Sequence, residues 1–143
     1  MSPTLFHLTF PITNIAQTKE FYVNGLGCQL GRENSQAVIL DLYGHQLVAH
    51  MTHEPLKPQN GIYPRHFGLV FTAETDWKAL LERVEIRRLA LYQQPKQRFV
   101  DTPLEHRTFF LADPFDNLME FKFYAHQSAI FGDRDYAQIG DRG

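Results

Sequence analysis

Short runs of strand-forming residues, together with one amphipathic segment, occur twice along the chain in the same order. The first run lies at residues 5–10, and a helical pattern follows at residues 14–24, for which Asn14 is the predicted N-cap. Three further strand-like runs occupy residues 28–32, 37–42 and 46–52, with turn signals between them. This half of the chain therefore predicts one strand, one helix and three strands.

The same order restarts after a connector rich in proline, asparagine and glycine. Residues 65–71 predict a strand, and an amphipathic helix follows, with Trp77, Leu80, Leu81 and Val84 on one face and Thr75 as its cap. Strands are predicted at residues 89–93, 107–112 and 117–124. The boundaries are module one at 4–53, the connector at 54–63, module two at 64–124 and a C-terminal tail at 125–143. We expect this tail to lie over the surface or fray.

This repeat predicts an α+β fold within one domain, residues 1–143. Two β-α-β-β-β modules would form a cup-shaped, partly closed and largely antiparallel sheet, with helices on its outer face and the other face free. The length fits one ordinary domain. The free face of the sheet is where we expect the chemistry.

Composition narrows the classes of function. The net charge is −2 without a long basic run, so nucleic acid is not an expected partner. No apolar stretch approaches the roughly 20 residues of a membrane helix, and the N-terminus lacks a signal-peptide pattern, so we expect a cytoplasmic protein with no membrane partner. A single cysteine, Cys28, cannot form a thiolate cluster, so a transition-metal site would need histidines and carboxylates.

Strand alternation puts several such groups on the face opposite the apolar rows. His7 lies between Phe6 and Leu8, and His66 and Glu120 have equivalent positions in module two. Matching the modules aligns His7 with His66, and it aligns His50 with Glu120. Two or three imidazoles and one carboxylate on a shared face suit a divalent ion such as Fe(II), while Ni, Mn, Co and Zn fit the same donors.

Several segments of residues 5–124 resemble one family in their order along the chain. These segments are Phe6-His7-Leu8, Phe21-Tyr22, the run from Gly44 to His50, Pro64-Arg65-His66-Phe67-Gly68, and Asp113-Pro114 leading to Glu120-Phe121-Lys122. The set is similar to the vicinal oxygen chelate superfamily, which includes glyoxalase I, extradiol dioxygenases, fosfomycin-resistance enzymes and bleomycin-binding proteins. Within it, the chain looks like a short subgroup of predicted extradiol-type dioxygenases.

The resemblance implies a metal held by His7, His66 and Glu120, with Fe(II) favoured, and a small substrate that chelates the ion through two neighbouring oxygens. It implies a metal-dependent enzyme, an oxidoreductase if oxygen takes part, and a homodimer. The alternatives are a metal-dependent isomerase or lyase and a small-molecule binding protein of the drug-sequestering kind. A dimer would also protect exposed strand edges.

The resemblance also points to residues around the metal. Ring-cleaving members usually carry a tyrosine ten residues before the ligand glutamate and an acid/base histidine about nineteen residues before it, whereas this chain has Phe110 and Asp101 there. His50 or His106 would then act as the base. The other candidates are four substrate-binding residues, Tyr63, Arg65, Arg107 and Lys122.

Overall fold

A computed structural model describes residues 2–140, and its elements follow the predicted doubled order. Module one contains β1 (His7–Ile12), α1 (Ile15–Lys19) with a π-helical continuation (Glu20–Gly25), β2 (Gln29–Glu33), β3 (Ala37–Leu42) and β4 (His45–Met51). Module two contains β5 (Phe67–Phe71), α2 (Glu74–Ile86), β6 (Leu91–Arg98), β7 (His106–Ala112) and β8 (Leu118–Tyr124). A 3₁₀ turn (Gln127–Ile130) begins the tail. The predicted α+β class and the repeat are confirmed.

Each module forms its own four-stranded mixed sheet with the same topology. Sheet one has the order β1-β4-β3-β2 and sheet two the order β5-β8-β7-β6. The first strand of each module is parallel to the last, and the remaining neighbours are antiparallel. The two sheets are therefore separate, equivalent units.

The helices begin as local chemistry dictates, with one correction. The Asn14 side chain accepts a hydrogen bond from the Gln17 backbone N–H at 2.8 Å, which confirms Asn14 as the cap. Thr75 is not the cap of α2, because the helix already begins at Glu74 after the extended residue Ala73. Glu74 and Asp76 in the first turn favour this helix end through the helix dipole.

A buried polar network joins the modules around the Asp-Pro turn that ends β7. The Tyr22 hydroxyl donates to Asp113 Oδ2 at 2.7 Å, and the backbone N–H groups of Phe115 and Asn117 donate to Asp113 Oδ1 at 2.8 Å. The Asn117 amide donates to Asp113 Oδ2 and to the Pro11 carbonyl. The turn therefore fastens module two to β1 and to the first helical segment.

Strand β6 differs most from its prediction. It continues to Arg98 instead of ending at Gln93, and its pairing with β7 shifts register between Gln93 and Lys96. Pro95 lies within this shift, and an irregular edge strand tolerates a residue that has no N–H to donate. Proline therefore interrupts the pairing without ending the strand.

The inner face of sheet two, which is the face away from α2, is not free as expected. Its residues His106, Thr108, Phe110 and Glu120 are all buried, and the tail lies against the end of this face near Tyr124. Between residues 2 and 140, no helix is long and apolar enough to cross a membrane. Among the described residues, the buried polar and charged side chains thus lie mostly in module two, with Thr18 of module one as the exception.

Candidate functional site

His66 and Glu120 meet on the inner face of sheet two. His66 directly precedes β5, and its Nε2 lies 3.1 Å from Glu120 Oε1. The other ring nitrogen, Nδ1, lies 2.7 Å from the Ile62 carbonyl oxygen, which can only accept, so Nδ1 carries a hydrogen. The second Glu120 oxygen accepts a hydrogen bond from the Thr108 hydroxyl at 2.6 Å. Both side chains are therefore held by a second partner.

The backbone around Glu120 is also closely packed. Gly68 pairs with Glu120 across the parallel β5–β8 ladder, and a Cβ at position 68 would collide with the Glu120 carbonyl oxygen. Glycine is therefore required beside the carboxylate for the two strands to approach this closely.

The charges of the pair depend on each other. The hydrogen bond with Glu120 raises the pKa of His66, and burial only partly opposes this effect. Burial by itself would raise the pKa of Glu120, but the bonds from His66 and Thr108 and the charge of Lys122 outweigh it and lower the pKa. In the metal-free protein a proton on Nε2 therefore stabilises the contact between imidazole and carboxylate.

Aromatic rings enclose the imidazole. The Phe110 ring meets His66 edge-on at 5.0 Å between ring centroids, and Tyr63 lies 5.8 Å away. Lys122 lies on the Glu120 side, with its Nζ 3.9 Å from Glu120 Oε1. Of the predicted substrate-binding residues, Tyr63 and Lys122 thus lie at the pair.

His7 does not join this pair within one chain. It is exposed on β1, with Nδ1 2.8 Å from the Gln46 side-chain oxygen. Across residues 2–140, no three His, Cys, Asp or Glu side chains are close enough together to hold one ion. The three predicted ligands therefore divide into one on sheet one and two on sheet two.

Strand register corrects the matching of His50 with Glu120. Glu120 pairs with Gly68, and the equivalent pair in sheet one is Thr9 with Val48, so Val48 occupies the position of Glu120. His50 pairs with Pro11, the position equivalent to Lys122, and its Nδ1 lies 3.0 Å from the Met51 carbonyl oxygen. The error arose from counting residues through turns of unequal length.

The two predicted arginines lie away from the pair. Arg107 is on the outer face of β7, where its guanidinium lies 4.6 Å from the Trp77 ring centroid and 2.9 Å from a Glu74 carboxylate oxygen. Arg65 lies at the start of module two, just before β5, and its backbone N–H donates to the Gln59 side chain of the connector. Both arginines contribute to structure here, and neither lines the His66–Glu120 contact.

His106 lies on the inner face but at a distance from the carboxylate. It pairs with Tyr124, four residues beyond Glu120, which is about 13 Å along a strand. Its Nδ1 lies 3.0 Å from the Leu104 carbonyl oxygen, which leaves Nε2 as an acceptor. Burial lowers the pKa of His106, and the charges of Lys122 and Arg98 add to this effect. His106 is thus a neutral imidazole at the far end of the face.

Sequence reasoning missed the groups that orient the pair. Thr108 was visible on the inner-face row of β7, but only the β7–β8 register shows that it reaches Glu120. The Ile62 carbonyl carries no signal in the sequence. Arg98 is 3% exposed, and its guanidinium lies 6.0 Å from the centroid of the Phe110 ring. The strand predicted from the sequence ended at Gln93, so the prediction did not include Arg98.

Comparison with known families identifies the fold. A family model described as the Glyoxalase/Bleomycin resistance protein/Dioxygenase superfamily matches residues 4–121. The chain belongs to this superfamily. Among curated proteins, no match was found.

Solved structures agree with this assignment to the glyoxalase superfamily. A glyoxalase/bleomycin resistance protein/dioxygenase from Alicyclobacillus acidocaldarius is 35% identical, with 90% of this chain and 96% of that chain covered and a TM-score of 0.85. The fosfomycin resistance protein FosX from Listeria monocytogenes is 15% identical, with 90% and 99% covered and a TM-score of 0.66. Lactoylglutathione lyase from Agrobacterium tumefaciens is 14% identical, with 92% and 98% covered and a TM-score of 0.64. The last two show a shared fold, across proteins whose names indicate different activities.

Proposed function

We propose that this glyoxalase-superfamily chain is a metal-dependent enzyme that binds a small substrate through two neighbouring oxygens. The observation that carries the proposal is the His66–Glu120 contact. With Nδ1 engaged by a carbonyl, the lone pair of a neutral His66 would point at a carboxylate oxygen 3.1 Å away. Two acceptors face each other only if a proton or a metal cation lies between them.

The partners behind the pair also fit a metal centre. Metal-binding histidines commonly donate their second N–H to a backbone carbonyl, and metal-binding carboxylates are commonly hydrogen-bonded in turn. Ile62 and Thr108 supply these two bonds. The donor set of this chain therefore suits a divalent ion, which would be held by His66 Nε2 and a Glu120 oxygen.

We propose that His7 of a second copy completes the centre in a homodimer. As in His66, an oxygen acceptor engages Nδ1 of His7, and Nε2, whose neighbour is the Thr9 hydroxyl at 3.4 Å, would be the metal-binding nitrogen. It is exposed on β1, where a second copy can reach it. Val48, an alkyl side chain, holds the position equivalent to Glu120, so the centre would have three protein ligands.

Three ligands, two imidazoles and one carboxylate, favour Fe(II), although Ni, Mn, Co and Zn accept the same donors. When bound, the ion would act as a Lewis acid and a template for the substrate oxygens. Positions left open by the protein suit a bidentate substrate, and extradiol-type oxygenation of a catechol is the reaction to test first. Phe110 and Tyr63 would shield the imidazole from water, and Lys122 would bind substrate charge.

The distance along β7 gives His106 a different role from the one predicted. A group about 13 Å along the sheet from Glu120 contacts the distal part of a substrate and not the oxygens at the ion. Its unprotonated Nε2 would accept a hydrogen bond from a substrate hydroxyl. His50 occupies the position on sheet one that is equivalent to Lys122, two residues beyond that of Glu120, where it would face the same substrate from the second copy.

Mixing two inactive variants tests the shared centre. His7→Ala and His66→Ala should each lose stoichiometric Co(II) and Fe(II) binding, while wild type binds one ion per chain. If subunits are exchanged by mild unfolding and refolding of a mixture, half of the dimers contain one intact His7–His66–Glu120 set, which restores about one ion per four chains. The exposed His53→Ala is the matched control and should bind as wild type does.

Two results would contradict the proposal. Stoichiometric binding that survives His66→Ala combined with Glu120→Ala would mean that the ion lies elsewhere. If the chains exchange but the mixed dimers still bind no metal, the hypothesis that two copies share one centre is wrong. Activity is then measured on a panel of catechols after anaerobic loading with Fe(II) and exposure to air, and metal-loaded protein that is inert to the panel would argue against the oxygenase reaction.

A further inference from the structure

A partly open cavity lies on the inner face of sheet two, beyond the His66–Glu120 pair. This tail chamber, the cavity between His106, Lys122 and Tyr124 on one side and residues 129–140 on the other, has a volume of about 530 Å³. Volumes of this size are typical of small-molecule sites. The chamber starts at Lys122, two residues from Glu120, and extends away from the pair.

The walls of the tail chamber combine apolar and polar side chains, and the apolar ones form a continuous part of the lining on both sides. Phe99, Leu104 and Tyr124 line it from the sheet side, and Ile130 lines it from the tail. The His106 ring contacts both aromatic neighbours, at 4.9 Å from Tyr124 and 6.0 Å from Phe99 between ring centroids. Such walls suit the apolar body of a small organic molecule.

One cation stands at the end of the chamber nearest the pair. The Lys122 ammonium lies 5.3 Å from the Tyr124 ring centroid, and the Glu120 carboxylate, its nearest acidic partner in residues 2–140, is 3.9 Å away. That distance exceeds a hydrogen bond, so N–H donors of Lys122 remain for a ligand. Glu120 is already committed to His66 and Thr108.

The other charges at the chamber do not cancel Lys122. Asp133 and Arg134 both line the tail side and have opposite signs, and Asp133 also accepts a hydrogen bond from Ser128 at 3.0 Å. Arg98 adds a buried positive charge behind Phe110 on the same face. Among the residues that line the chamber, Lys122 is therefore the cation that adjoins the pair.

The tail reaches from this chamber back to the metal-site residues. A Cβ at Gly140 would collide with the Tyr63 side chain, whose ring lies beside His66. The tail thus runs along the inner face from the end of β8 to the proposed centre, and it forms the wall opposite the sheet and the β6–β7 loop. Its side chains set the size of the space.

We propose that the tail chamber binds the apolar body of a small organic anion, with Lys122 on its carboxylate or phosphonate group and the C-terminal tail as the wall that limits its size. This inference rests on the proposed function, because it names the substrate class of that enzyme. The oxygens that chelate the ion would lie at His66 and Glu120, and the remainder of the molecule would extend toward His106 and Ile130.

Metal-free protein allows the inference to be tested without activity. Benzoate and benzamide have the same shape and differ in charge, and each is titrated into ¹⁵N-labelled protein while amide shifts are followed. Benzoate should shift amides of residues 104–106, 122–124 and 129–136, and it should bind about tenfold more tightly than benzamide, the usual scale for a hydrogen bond to a charged group. Lys122→Gln should abolish this difference, whereas the exposed helix variant Lys78→Gln should retain it.

The tail wall is tested by filling the chamber. Ile130→Trp should weaken benzoate binding at least tenfold, and Ile86→Trp, an exposed apolar position outside the chamber, should leave it unchanged. The spectrum of each variant reports whether it is folded, and Lys122→Met replaces Lys122→Gln if the latter is not.

Several results would overturn the inference: equal affinities for benzoate and benzamide, shifts confined to other surfaces, or unchanged binding by Lys122→Gln or Ile130→Trp. Failure of the proposed function gives a different pattern: wild-type protein would not bind one metal ion per chain, while its binding of benzoate would remain as expected. If wild-type protein binds one metal ion per chain but benzoate causes no amide shifts, only the proposal of a ligand in the tail chamber is refuted.

Discussion

Thr108→Val tests whether the groups behind the pair serve a metal centre. The substitution replaces a hydroxyl with a methyl of similar volume, and it removes the 2.6 Å hydrogen bond to Glu120 Oε2 inside the protein, where Thr108 is 1% exposed. A hydrogen bond to a charged group contributes about 1.5–3 kcal/mol. Loss of a group that orients a metal-binding side chain typically costs about 10–100-fold in metal affinity.

Thr18→Val is the matched control. Thr18 is fully buried, and its hydroxyl donates to the Asn14 carbonyl at 2.7 Å, far along the chain from the pair. Both variants should lower the free energy of unfolding, measured by urea titration of the fluorescence of Trp77, the single tryptophan. Only Thr108→Val should weaken Co(II) binding, because the freed carboxylate can rotate and holds its proton more strongly. Equal metal affinities for the two variants would refute the argument.

Three further predictions follow from the described contacts. His50→Ala should keep its full metal content, because Val48 and not His50 matches Glu120, and a loss of metal would contradict the register argument. Asp113→Ala should lower the free energy of unfolding by about 3–5 kcal/mol, since it strands several buried donors; a cost no larger than that of Tyr22→Phe in urea titrations would count against the network. Burial raises the pKa of Cys28 to about 12, so the thiolate fraction near pH 8 is roughly one in ten thousand. Native protein should therefore resist a thiol reagent that labels the urea-unfolded chain fully, with a rate that still rises at higher pH, and native labelling at the unfolded rate would contradict this burial.

The sequence predicts the architecture well because the architecture depends on local patterns. Asn14 has the chemistry of a cap, and Trp77, Leu80 and Val84 share a helical face that the structure buries. Alternation also put His66 and Glu120 on one face, and the structure brings them together. The same alternation places Arg107 on the opposite face from His106, so its position under α2 was predictable from the pattern.

What the sequence could not provide depends on pairing between distant segments. The match of His50 with Glu120 needed the β1–β4 and β5–β8 registers, which residue counts through loops do not define. The tail has few apolar residues and no periodic pattern, so its place over the inner face of sheet two has no local signal. The same holds for the Ile62 carbonyl, since any residue supplies a backbone oxygen.

Coverage of sheet two on both faces has a consequence for local stability. From His106 to Ala112, every residue of β7 is buried or half-buried, whereas all five residues of β2 are exposed. Local opening requires least free energy where little apolar surface is buried, so amide hydrogens should exchange slowest in β7 and β8 and fastest along β2. Since the carboxylate of Glu120 stands on β8, we expect its geometry to persist through fluctuations that open the β2 edge of the other module.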